Sequence, residues 1–129
     1  MVQNSVLIVD DNTANLKLMR ILLGDAGYDV RTAASAEDAL RLLADRPPQV
    51  ILMDVQLPGM SGLELTRRLK ADAATRDIVV VAVTAYAARG DEERTRAAGC
   101  DEYVAKPVDI DALLQTIARL MARGSEGER

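Results

Sequence analysis

Five residues of this chain recur in a pattern that could do chemistry together. Asp10 and Asp11 follow the apolar run Ser5-Val6-Leu7-Ile8-Val9, and Asp54 follows Val50-Ile51-Leu52-Met53. Thr84 closes Ile78-Val79-Val80-Val81-Ala82-Val83, and Lys106 follows Tyr103-Val104-Ala105. An apolar run without alternation reads as a strand buried on both faces, as in a parallel sheet between helix layers. Each polar residue then stands at a strand's carboxyl end, the edge at which open α/β sheets bind ligands. Three carboxylates in one small site repel one another unless a cation sits among them. Oxygen ligands without histidine point to magnesium. A lysine and a hydroxyl on the far side suit the oxygens of a phosphoryl group. Taken singly, each residue has an ordinary alternative. Asp10 and Asp11 could cap a helix, Asp54 could satisfy N–H groups of a turn, Thr84 could end a strand, and Lys106 could be a solvated charge. The coincidence of all of them on one edge argues for a site.

Composition narrows the chemistry further. The 129 residues suffice for one domain with a proper core. Apolar residues make up 49% but aromatics only 2%, so that core must be aliphatic. A net charge of −4 disfavours nucleic acid and anionic membranes as partners. No apolar run approaches the roughly 20 residues that span a bilayer, so no membrane insertion is expected. No signal-peptide pattern precedes the first strand, and the single Cys100 fits a reducing cytoplasm. The chain has no histidine, which excludes Ser-His-Asp and Cys-His nucleophilic systems and the usual zinc sites. Cys100, with no base to activate it, reads as a small structural hydrophobe.

The elements that must position these residues alternate along the chain. After Asp11, Asn12-Thr13-Ala14-Asn15 opens a helix with Leu16, Met19, Leu22, Leu23 and Ala26 inward and Gly27 as its stop. Tyr28-Asp29-Val30-Arg31-Thr32-Ala33 alternates and reads as an edge strand. Ser35-Ala36-Glu37-Asp38 caps a second helix, with Ala39, Leu40 and Leu43 inward, stopped by Pro47-Pro48. After Asp54, Leu57-Pro58-Gly59-Met60-Ser61-Gly62-Leu63-Glu64 holds a capping box, Ser61 with Glu64, before a helix around residues 65–69. A polar helix spans 91–98, Gly99 ends it, and Lys106-Pro107 breaks the short last strand. Asp109 caps the last helix, with Ile110, Leu113, Leu114, Ile117 and Leu120 inward. Five strands alternating with five helices imply right-handed crossovers and a doubly wound, five-stranded parallel sheet of flavodoxin-like order 2-1-3-4-5. One domain is expected over residues 1–123, with a polar tail, expected disordered, over 124–129.

Ile8-Val9-Asp10-Asp11, Leu52-Met53-Asp54, Leu57-Pro58-Gly59-Met60-Ser61-Gly62, Val83-Thr84-Ala85 and Lys106-Pro107 together resemble the receiver domain of two-component response regulators, the CheY-like superfamily. The resemblance covers residues 5–123. Val81-Ala82-Val83-Thr84-Ala85-Tyr86, with Gly90-Asp91-Glu92-Glu93-Arg94 and Gly99-Cys100, is similar in particular to DivK-type single-domain cell-cycle regulators. The resemblance implies that Asp54 accepts a phosphoryl group from a phosphohistidine of a sensor histidine kinase or a histidine phosphotransfer protein. It implies magnesium held by Asp11, Asp54 and the backbone carbonyl of Gln56, with Asp10 acting through water. Thr84, the Ala85 amide and Lys106 would hold the phosphoryl oxygens, Tyr103 would be the switch aromatic, and Lys106-Pro107 would be a cis peptide. Gln56 and Tyr86 would set the rate of phosphate loss, and a ring at Tyr86 over the phosphoryl group would slow attack by water.

The implied protein is a stand-alone phosphoaccepting regulator, not an enzyme beyond its own phosphorylation and dephosphorylation, and a monomer or weak dimer. Its output would be protein–protein contact through the fourth helix, fifth strand and fifth helix. The fourth helix offers only Thr95, Ala97 and Ala98 as apolar contacts, so it is an inexpensive element to shift. Three alternatives have different requirements. A phosphorelay intermediate would pass the phosphoryl group on to another histidine. A magnesium-dependent phosphotransferase or phosphatase of the haloacid-dehalogenase type needs a second carboxylate two residues after the nucleophile, where Gln56 stands. A flavin carrier needs a phosphate-cradling loop where Asp10 and Asp11 would repel the ligand.

Overall fold

The apolar runs form the strands of one parallel sheet, and the capped amphipathic segments cover its two faces. The computed structural model describes residues 4–84 and 91–127. In chain order the elements are β1 (Ser5–Val9), α1 (Thr13–Asp25), β2 (Asp29–Ala33), α2 (Ala36–Asp45) and β3 (Val50–Asp54). They continue with α3 (Gly62–Ala71), β4 (Val79–Thr84), α4 (Asp91–Ala98), β5 (Glu102–Ala105) and α5 (Ile110–Gly127). The strand order is β2-β1-β3-β4-β5, all pairs parallel, so the expected doubly wound order is observed. β2, the alternating segment, lies at an edge.

Strand parity divides the core. Val6, Ile8, Val50, Leu52 and Val81 pack with Leu16 and Leu23 of α1 and with Leu113, Ile117 and Leu120 of α5. Leu7, Val9, Ile51, Met53, Val80 and Ala82 pack with Ala39 and Leu43 of α2 and with Leu65 and Leu69 of α3. Side chains alternate along a strand, so Asp54 shares the parity of Val50 and Leu52 and belongs to the α1–α5 face.

Helix starts follow the sequence closely. The side chains of Asn12, Ser35 and Ser61 accept from the amides of Asn15, Asp38 and Glu64, and Asp109 accepts from Ala112. The first helix departs from expectation on its faces. Ala26 is its exposed C-cap rather than a core residue, while Leu18 and Ile21 lie 54% and 51% exposed. In α4, Thr95 and Ala98 are buried but Ala97 is exposed. The last helix, anchored at Leu120 and Met121, continues to Gly127, past the expected boundary at Arg123.

Two polar clamps tie the layers together. Lys70 Nζ donates to the carbonyls of Ile78 (2.8 Å) and Arg76 (3.2 Å) and to Asp101 Oδ2 (2.9 Å), which also accepts from the Val80 amide (2.9 Å). This joins α3, the entry to β4 and the turn after α4, where Gly99 adopts φ +108 against the Lys70 side chain. At the same amino-terminal edge but on the other face of the sheet, buried Gln49 donates from Nε2 to the Met121 carbonyl of α5 and accepts the Asn4 amide at Oε1.

Candidate functional site

Asp54 ends β3 with its side chain nearly buried, and both carboxylate oxygens are engaged. Oδ1 accepts from the Gln56 amide at 2.9 Å, and Oδ2 accepts from Lys106 Nζ at 3.2 Å. The turn role that Asp54 could have had alone and its place in a charged site are therefore both real. Asp10, one residue beyond β1, likewise accepts the Asn12 amide at 2.9 Å through Oδ1. One oxygen from each of Asp10, Asp11 and Asp54 lies within 4.8 Å of the others. Desolvation, with the nearby Asp54 charge adding to it, raises the Asp10 carboxyl above its ordinary value, while the Asn12 amide and Lys106 oppose the rise.

The donor set fits a hard cation. All three donors are carboxylate oxygens, and their mutual separation, within 4.8 Å, compares with about 4 Å between opposite ligands of octahedral magnesium. Lys106 is carried to the site by β5, whose pairing with β4 sets Thr84 beside Ala105, and its own amide donates to the Thr84 carbonyl at 2.8 Å. Lys106-Pro107 is cis, as expected.

The segment after Asp54 shows why Gly62 stands where it does. Its amide donates to the Val55 carbonyl at 3.1 Å, drawing the first turn of α3 onto the end of β3. A Cβ there would come within 2.5 Å of the Asp54 carbonyl oxygen and 3.0 Å of the Val55 Cα. Only glycine lets α3 approach the end of β3 this closely. Thr66, one turn on, donates to the Gly62 carbonyl at 2.9 Å and accepts from the Cys100 thiol at 3.7 Å. Burial pushes that thiol up, as a structural role requires.

Of the sequence-predicted site residues, the structure brings Asp10, Asp11, Asp54 and Lys106 together. Thr84 ends β4, buried, one residue beyond Val83, the strand partner of Asp54. Gln56 is exposed, with its amide on Asp54. Tyr103 is half-buried opposite Ala82, on the face away from Asp54's. Ala85 and Tyr86 lie outside the described residues. Sequence reasoning missed the Lys70–Asp101 clamp, the steric role of Gly62, and a groove of about 340 Å3 beside Asp54. Leu18, off the apolar stripe of α1, was the available signal for the groove.

A doubly wound sheet with carboxylates and a lysine gathered at its carboxyl edge defines a flavodoxin-like α/β domain with its site at the topological switch. Residues 6–118 match the response regulator receiver domain, and the chain belongs to that family. It is 48% identical over 113 residues to the polar-differentiation response regulator DivK of Brucella ovis, covering 88% of this chain and 92% of that protein. A CheY-like receiver domain protein from Methanospirillum hungatei superposes with a TM-score of 0.90 at 30% identity, over 98% of this chain and 99% of the other. The receiver domain of a sensor histidine kinase from Pseudomonas aeruginosa, solved with magnesium coordinated in its active-site cleft, gives 0.85 at 31% identity, over 94% and 99%. Receiver domains of response regulators are two-component signalling proteins; phosphorylation and magnesium binding are general among them, as is work with histidine kinases and downstream targets. Among the described residues, no helix is long and apolar enough to cross a membrane.

Proposed function

We propose that Asp54 accepts a phosphoryl group from a phosphohistidine of a histidine kinase or histidine phosphotransfer protein, and that a protein partner reads the result on the face of α4, β5 and α5. The observation that carries this reading is the meeting at Asp54 of the Lys106 ammonium, 3.2 Å away, with two further carboxylates within 4.8 Å. In the transfer, a bond forms from an Asp54 oxygen to phosphorus as the bond from phosphorus to the imidazole nitrogen breaks. Lys106 moves its hydrogen bond from the carboxylate to a phosphoryl oxygen, so the ammonium keeps an anionic partner throughout. Asp11, Asp54 and the Gln56 carbonyl would hold magnesium, with Asp10 acting through water. When bound, the ion offsets the negative charge that the donor brings among the carboxylates.

Thr84 and the Ala85 amide take the remaining phosphoryl oxygens, and Tyr103 follows Thr84 inward. Gln56 and Tyr86 govern access of the hydrolytic water, and shielding by Tyr86 makes self-dephosphorylation slow. The face read by the partner includes α4, in which Thr95 and Ala98 are the buried side chains among the described residues. A helix anchored so lightly responds to a change of charge at the neighbouring strand ends.

Acetyl phosphate with magnesium should label Asp54 with an acid-stable, alkali-labile acyl phosphate, and Asp54→Ala should abolish the label. Full labelling of Asp54→Ala would overturn the assignment. Phosphotransfer from a panel of purified histidine kinases would then identify the donor.

A further inference from the structure

Asp54 opens onto more space than a phosphoryl group fills. Between α1 and the segment that leads into α5 lies a cavity of about 340 Å3, with Asp10, Asp54 and Lys106 at its polar end. Asn15 apart, the rest of its lining is apolar. Buried Leu52 and Leu113 lie deep in it; Leu18, Met19, Pro107 and Val108 bound it nearer the surface, with Leu18 54% exposed. Strand parity is what turns the acceptor carboxylate toward this groove and away from the α2–α3 layer. An aliphatic cavity of about 150 Å3 takes up benzene, so this one has room for a short alkyl chain. A ligand complementary to the whole feature has a compact anionic head for Lys106 and an apolar tail bonded directly to it.

We propose that the groove receives the acyl group of a low-molecular-weight acyl phosphate, so that Asp54 is phosphorylated faster by butyryl or hexanoyl phosphate than by acetyl phosphate. The inference rests on Asp54 being the phosphoacceptor. An Asp54 carboxylate oxygen attacks phosphorus, and the bond from phosphorus to the acyl oxygen breaks. The electron pair leaves with that oxygen as a free carboxylate, so no proton or further reactant is required. In-line displacement sends the departing oxygen away from Asp54, toward the exposed rim at Asn15, Leu18 and Pro107. From there the chain turns down over Met19 and Val108. Binding energy from such a remote group raises the second-order rate constant even when it acts equally on ground and transition states.

The test compares second-order rate constants for labelling by acetyl, butyryl and hexanoyl phosphate, each below saturation and with magnesium. The acids released along this series have nearly equal acidity, so differences report binding rather than intrinsic reactivity. Burial of a methylene corresponds to about fourfold, and in an open groove about two- to fourfold, for each one added. Butyryl phosphate should therefore exceed acetyl phosphate by about 4- to 16-fold. Leu18→Ser, at an exposed position that does not threaten folding, and Val108→Phe, which fills the groove, should both pull the butyryl-to-acetyl ratio toward one. Using the ratio cancels any general change in acceptor competence. Labelling by acetyl phosphate with a flat series, or a preference that survives both substitutions, overturns this inference alone. No labelling of Asp54 by any donor overturns the acceptor assignment and this inference with it.

Discussion

Replacing Gly62 by alanine adds one methyl group and should disable the site from behind. The new Cβ would stand 2.5 Å from the Asp54 carbonyl oxygen, whereas ordinary contact begins at 3.4 Å, so α3 or the end of β3 must move about 0.9 Å. Met53 Cε, at 3.0 Å, is a side-chain end that can swing clear, but the Asp54 carbonyl oxygen and the Val55 Cα are backbone and cannot. Overpacking of this kind costs about 1–3 kcal/mol, and an obstacle made of backbone puts the substitution at about 2–3 kcal/mol. For 129 residues an unfolding entropy of about 2.1 cal/mol/K per residue converts each kcal/mol into about 4 °C. Melting should therefore fall by about 8–12 °C. Labelling by acetyl phosphate should slow by about 10- to 100-fold, since the displaced strand end carries Asp54 out of line with Lys106. Gly24→Ala is the matched control: it lies in α1 with nothing within 4 Å of its would-be Cβ. There, helix propensity alone should raise melting by about 2–4 °C. Calorimetry and the labelling rate read both variants. Gly62→Ala that melts within about 2 °C of the parent and labels at the parent rate would refute the close-approach reasoning.

Magnesium at ten times its dissociation constant should stabilise the parent by about 1.4 kcal/mol, a rise of about 5 °C, and Asp11→Ala should lose that rise; an unchanged response would show the ligand set to be wrong. Lys70→Met keeps the stem against Gly99 but removes hydrogen bonds to Ile78, Arg76 and Asp101. With Asp101 39% exposed, the loss should be about 2 kcal/mol, accompanied by faster hydrogen exchange at the Val80 amide; parent-like exchange there would show the clamp to be idle. Because burial raises the Cys100 thiol, the folded chain holds its proton where the unfolded chain releases it. That contribution is complete below the unfolded thiol's pKa of about 8.5 and is lost as pH rises beyond it. The thiol should accordingly react slowly with a disulfide reagent at about pH 8 and rapidly in urea, and fast reaction in the native protein would contradict its burial.

The strand order, the helix caps and the meeting of Asp10, Asp11, Asp54 and Lys106 were legible because each depends on local signals. Unbroken apolar runs mark buried parallel strands, and the first polar residue after each run marks the functional edge. Strand parity was equally readable, yet it acquires meaning only once the packing assigns α1 and α5 to one face and α2 and α3 to the other. The Lys70 clamp joins positions 31 residues apart and rests on two backbone carbonyls, which leave no trace in side-chain identity. Gly62 was visible as part of a motif, but its reason is a distance between two backbones. On α1 the reading of the apolar stripe as wholly inward took in Ala26, while Leu18 and Ile21 lay beside it; periodicity fixes a stripe's direction, not which residues at its margins stay covered.

The two oxygens of Asp54 decide what Asp54→Asn would do to the site. One faces the Gln56 amide and the other the Lys106 ammonium, so both positions demand an acceptor. Asparagine supplies an acceptor and a donor. In either flip state its NH2 group meets another donor, at the turn or at the lysine. Asp54→Asn therefore does not freeze the resting state: it either opens the turn after β3 or releases Lys106 to seek another anion. Asp54→Ala takes away the acceptor without bringing a new donor, so the Gln56 amide and the Lys106 ammonium both turn to water or to the neighbouring carboxylates. The two variants should differ in structure although neither carries a phosphoryl group, and a partner that tells them apart would be reading the position of Lys106 or of the turn.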